Sequence, residues 1–166
     1  RNEANDGGGS FSWYAGIMQA DGNTNAIMYN SAVAYSYYSF NGDFYEEGSV
    51  AASGNSWNAT GDKVAFEFDA DNGTLKYYKN NSLERTKIGL THSGGYVPFF
   101  ARTGGSTSST LTVKFKESEW AYTPPTSGAL ELVSTNIPAP DFQGIDYFDA
   151  TLYEGNGNGQ RVGDFV

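Results

Sequence analysis

The chain has 166 residues, of which 39% are hydrophobic, 16% aromatic and 17% charged, a size and balance that fit one main globular domain rather than a charge-rich disordered chain. Its net charge of −9 and the scatter of its ten Lys and Arg residues argue against nucleic acid and anionic membrane surfaces as partners. Cysteine is absent and histidine occurs once, which excludes disulfide staples, thiolate metal sites and histidine clusters.

From the N-terminus, the polar start RNEANDGGGS lacks the apolar stretch of a signal peptide, and no later run approaches the ~20 apolar residues of a membrane helix. Strand signals then recur at short intervals: FSWYAGIMQ (11–19), NAIMYN (25–30), VAYSYYSF (33–40), DFYEE (43–47), KVAFEFD (63–69), TLKYYKN (74–80), GYVPFFAR (95–102) and STLTVKF (109–115). Turn-rich runs such as FNGD, SGNSWNATGD, DNG and TGGSTSS separate them, and no segment carries a helical period of ordinary length. Val64, Phe66 and Phe68 alternate with Glu67 and Asp69, and Leu111, Val113 and Phe115 alternate with Thr112, Lys114 and Lys116. Each pattern predicts a strand with one dry and one wet face, and dry faces need a second sheet to cover them. The fold class expected is therefore all-β, a two-sheet antiparallel sandwich, with Trp13, Phe66, Phe68, Tyr77, Phe99 and Phe115 in its core.

Beyond residue 126 the composition changes. Residues 127–140 read as a closing segment and linker punctuated by proline, and residues 141–166 as the start of a following β module, with a strand at 147–153 and a Gly/Asn turn. A chain that starts near a glycine run and stops inside a strand pattern is expected to be a piece of something longer.

The centre of 61–81, DADNG, invites a metal or catalytic reading. A helix-loop-helix calcium loop beginning at Asp69 would need an acid at the position of Gly73, glycine at Thr74 and glutamate at Asn80, and the flanks read as strands. Asp69 and Asp71 sit at a strand end and in a turn, whereas a glycosidase pair must face across a cleft. Turn chemistry accounts for the stretch: Asp and Asn bond their own backbone, and Gly73 supplies a positive φ. The prediction is a hairpin over 63–80, with no metal, no cofactor and no catalytic residues.

As a hairpin, GDKVAFEFDADNGTLKYYKNN resembles the SPRY family, whose strand-turn-strand pattern it follows nearly throughout. SFSWYAGIMQ (10–19), GYVPFFAR (95–102) and STLTVKF (109–115) resemble further strands of that family, so the likeness covers about residues 9–125. The chain is most similar to the Gly/Asn-rich SPRY-like domains of bacteriophage and viral structural proteins, in which the LVSTNIPAP (132–140) and YEGNG (153–157) motifs also have counterparts. The resemblance implies a SPRY/concanavalin-like jelly roll over residues 1–126. It departs in two places: the strands that usually precede Trp13-Tyr14-Ala15-Gly16 are missing, and Asn81 replaces a glycine.

The resemblance implies a non-enzymatic binding or structural module at a virion surface, a fibre, tail or capsid-associated component that contacts other virion proteins, a host receptor or a glycan as part of a larger assembly. Family members bind mainly through loops, here 41–48, 53–60 and 103–108. With the loop aromatics and the tyrosine cluster, this yields Tyr35, Tyr37, Tyr38, Asn41, Tyr45 and Trp57 as candidate partner-binding residues. The rival reading is a lectin-like domain of a secreted or cell-surface protein, with aromatic rings stacking on sugars. A third, a glycan-cleaving enzyme, would use Glu67 and Asp43. Three sequons (Asn58, Asn72, Asn80) fit chance in an Asn-rich chain, and His92 is expected on a solvated loop.

Overall fold

The computed structural model describes residues 2–6 (backbone only), 12–21, 31–103 and 110–133. Ten strands follow in order: β1 Asn2–Asp6, β2 Ser12–Gln19, β3 Ala34–Tyr38, β4 Asp43–Glu46, β5 Ser49–Ser53, β6 Lys63–Asp69, β7 Thr74–Lys79, β8 Ser82–Lys87, β9 Tyr96–Thr103 and β10 Leu111–Lys114. The only helical element among the described residues is a 3-10 turn, Glu117–Glu119. The strands form two five-stranded antiparallel sheets, ordered β10-β1-β6-β7-β8 (sheet A) and β5-β4-β3-β2-β9 (sheet B). The expected all-β sandwich is the fold observed.

Period-two alternation sends one side of each strand inward. Sheet B contributes Ala15, Ile17, Tyr35, Tyr37 and Phe44, and sheet A contributes Val64, Phe66, Leu75 and Tyr77; Trp57 and Leu90 complete the cluster from loops. Tyr37 stacks on Phe44 at 4.3 Å between ring centroids and meets Tyr77 of the other sheet edge-on at 6.0 Å. Such aromatic pairs add about 0.5–1.5 kcal/mol each beyond the area they bury. Across the β4 and β8 side of the sandwich, Glu46 accepts both Arg85 and Lys87.

Asn2–Asp6 pairs with β6 on one side and β10 on the other, Asn2 opposite Phe66 and Asp6 opposite Leu111, so the polar start of the chain is an interior strand of sheet A. The β6–β7 hairpin runs in unbroken register from Val64↔Lys79 to Asp69↔Thr74. In its turn, Asp69 accepts the Asn72 backbone N–H and side-chain amide at 3.0 and 2.8 Å, and Gly73 adopts φ +56°.

Several expectations change. Phe66, Tyr77 and Phe99 are buried and Trp13 and Phe68 are half-buried, but Phe115 is 36% exposed, because β10 ends at Lys114 before the ring can turn inward. Glu67 is buried rather than wet: the outer face of β6 and β7 is approached by the closing segment, whose Thr126 hydroxyl accepts a hydrogen bond from Lys76. His92 is half-buried, 2.7 Å from Asp21 and edge-on to Tyr96, so it is not simply solvated. The chain divides into two compact units, residues 1–136 and 137–166. The second unit, the expected strand at 25–30, the linker from 134 onward and the hairpin at 147–153 lie outside the described residues.

Candidate functional site

Because Tyr35 and Tyr37 point into the sandwich, alternation turns Ala34, Ser36 and Tyr38 to the opposite side of β3. The outer face of sheet B therefore carries its own cluster, with Tyr14, Met18, Ala34 and Phe99 buried and Val33, Tyr38, Tyr45 and Ala101 packed against them. Tyr14 and Tyr38 are register partners, and their rings stack at 4.2 Å with planes 10° apart. Tyr45 meets both edge-on, at 5.5 and 6.1 Å. Burial and the neighbouring Tyr38 and Tyr45 hydroxyls push the Tyr14 phenol well above its ordinary pKa. Phe40, in the turn after β3, lies 6.3 Å from Tyr38 and is 61% exposed.

The polar rim of this patch is built by the turn itself. The Asn41 side-chain amide donates to Asp43 at 2.6 Å while its carbonyl accepts the Asp43 N–H at 3.1 Å, and Ser53 donates to the other Asp43 oxygen. The Asn58 amide donates to the Phe40 carbonyl, and Trp57 N–H to Ser39 O. These bonds fasten the 39–43 turn to residues 53–58, so Phe40 is presented from a tethered loop.

The six candidate contact residues divide evenly. Tyr38, Asn41 and Tyr45 come together on this outer face. Tyr35, Tyr37 and Trp57 do not: they are 4%, 0% and 0% exposed, and a buried ring has no surface to offer a partner. Tyr35 and Tyr37 are sent inward by strand alternation, and Tyr37 donates its hydroxyl to the Asn55 carbonyl. Trp57 plugs the sandwich beside Tyr37 at 6.0 Å, although its sequence neighbours are turn formers. Sequence reasoning missed Tyr14 and Phe40. The signal for Tyr14 was its place one residue out of phase with Trp13, Ala15 and Ile17 in β2.

The acids of the glycosidase reading are not brought together. Asp43 is on β4 with its hydrogen bonds on the outer side of sheet B, and Glu67 is on the outer face of sheet A; stacked sheets stand about 10 Å apart, with the core between them. Among the described residues no group of three or more Asp, Glu or His side chains is placed to hold a metal.

A concavity of about 660 Å³ lies between the β6–β7 hairpin and residues 126–130. Its lining includes Glu67, Asp69, Asp71, Lys76, Thr126 and Leu130. Tyr78 donates its hydroxyl to Glu67 Oε2 at 3.0 Å, while Glu67 Oε1 is buried without a hydrogen-bond partner among the described residues. A buried acceptor left unpaired costs about 1–3 kcal/mol, and more when it is charged.

Compared with known proteins, the chain matches no family model and no curated protein sequence.

Proposed function

We propose that this chain is a non-catalytic binding module of a virion surface protein, and that its contact surface is the outer face of sheet B around Tyr38, Phe40 and Tyr45. The observation that carries the contact surface is Phe40, a large apolar ring 61% exposed on a loop held from both sides, next to a stacked tyrosine pair. Rigid aromatic side chains at the centre of a patch with a polar rim are what protein interfaces use as anchors, because they bury large areas at little entropic cost. The virion placement rests on the resemblance of the 61–81 hairpin and of the LVSTNIPAP and YEGNG motifs to SPRY-like phage and viral structural proteins.

The lectin reading is less favoured by the same loop. Asn41, Asp43 and Ser53 already hydrogen-bond one another, so a sugar hydroxyl would have to compete with bonds that hold the turn. The proposal is tested by purifying virus particles from the culture that encodes the chain and probing them with antibodies raised against the sandwich. Labelling of intact particles is the expected result. Particles that lack the chain, or a chain found only in the culture fluid with affinity for a glycan, would overturn it.

A further inference from the structure

We propose that the cleft between the β6–β7 hairpin and residues 126–130 is a binding site for an alkylammonium group, with Glu67 as its anchor. The proposal is independent of the virion reading. Glu67 is 8% exposed and lines the cleft, yet among the described residues one of its two carboxylate oxygens accepts nothing and the other accepts only the Tyr78 hydroxyl. Its register partner across the hairpin is Lys76, the obvious internal counter-charge. Lys76 instead donates to Thr126 Oγ1 at 3.2 Å, and the ion pairs among the described residues do not include Glu67. A buried carboxylate with one oxygen unused and no ion pair to the lysine opposite it calls for a charged donor.

The rest of the lining selects what kind. Asp69 and Asp71 at the hairpin tip add negative field against the single basic residue, Lys76. Asp69 is already committed to Asn72, so it attracts a cation without needing to ligate it. Bare divalent ions need several converging ligands, and among the described residues no three acidic or histidine side chains converge. An N–H donor needs only one. Leu130, 65% exposed, stands with Ala70 and Ala129 on the walls, apolar surface against which a methylene stem can lie while its charged head reaches the acid. An ammonium on an aliphatic chain meets all of these demands, whether it belongs to a free diamine or to the lysine side chain of a partner.

The test is an amide chemical-shift titration of the full chain with 1,4-diaminobutane, with Nα-acetyl-lysine methylamide and with the neutral isostere 1,4-butanediol. Saturable shifts confined to residues 67–76 and 126–130 are expected with an amine and not with the diol. Tighter binding of the diamine assigns a free amine, and equal or tighter binding of the lysine derivative assigns a partner side chain. Glu67→Gln should weaken the amine by about tenfold or more. Because a substitution at a buried site can disturb the fold, the exposed-turn variant Asp71→Asn and a salt series provide a second reading. Affinity should fall with Asp71→Asn and between about 20 and about 500 mM salt. No saturation by either amine, equal binding of the diol, or an affinity indifferent to salt and to both variants would overturn the proposal.

Discussion

A tyrosine packed between two sheets keeps its proton long after a solvated one has lost it. Burial is the largest cause of the raised pKa of Tyr35, Tyr37 and Tyr77, with nearby Glu47, Glu84 and Glu46 respectively opposing the phenolate further; Tyr14 is raised by burial and by its tyrosine neighbours. The sign of the effect on stability follows. Below the ordinary value of 10.0 folded and unfolded chains are both protonated at these rings and the contribution is fully present. Above it the unfolded chain releases protons that the folded chain retains, so stability falls as pH rises. An alkaline titration followed by the phenolate absorbance should therefore show an early reversible group of tyrosines and a late group, including these four, that ionises together with loss of the fold. Smooth titration of all twelve tyrosines near pH 10 with the fold intact would contradict the buried placement of Tyr35 and Tyr37. That placement was partly legible: two aromatics at i and i+2 in a strand share a face, so the Tyr35–Tyr37 pair could belong inside while Tyr38 belonged outside. Trp57 gave no such signal, since SGNSWNATGD has no period and residues distant in sequence place it in the core, Ser39 accepting its backbone N–H and Tyr37 lying beside its ring.

Among the elements, the β6–β7 hairpin was the most legible because two independent signals coincide in it, alternation in KVAFEFD and turn chemistry in DADNG. Its turn also has a tertiary reason for glycine. Besides its φ of +56°, a Cβ on Gly73 would stand 2.2 Å from the Leu90 carbonyl oxygen, so the backbone of the following loop occupies the space a side chain would need. Gly73→Val should destabilise by about 1–3 kcal/mol, read as a lower urea midpoint with an unchanged slope; a loss below about 0.5 kcal/mol would mean that the turn relaxes without strain. The strands that escaped the sequence are β1 NEAND, β5 SVAAS and β8 SLERTK. The edge strand β5 is largely exposed, and the edge strand β8 turns Arg85 and Lys87, not apolar residues, toward Phe44, Tyr35 and Glu46, so neither carries an apolar alternation to read. β1 lies between β6 and β10 by backbone pairing, and its polar sequence has no period of its own. The burial of Glu67 was illegible for a related reason: it depends on the closing segment some 60 residues further along, not on the strand in which Glu67 sits.

Across the whole molecule, the two sheets use their faces differently. Their inner faces meet in an aromatic core, the outer face of sheet A is approached by the closing segment and leaves an acid-lined cleft, and the outer face of sheet B gathers tyrosines beside an exposed phenylalanine. On the function proposed above, this last face makes contact with a neighbour in a larger particle. The most direct measurement replaces Phe40 by the photo-crosslinking residue p-benzoylphenylalanine in the assembled particle, with the same residue at the exposed Leu83 of β8 as the comparison. A discrete crosslink from position 40 to one partner protein and only background from position 83 are expected. Crosslinking from position 83 alone, or none from position 40 in particles that contain the chain, would contradict it.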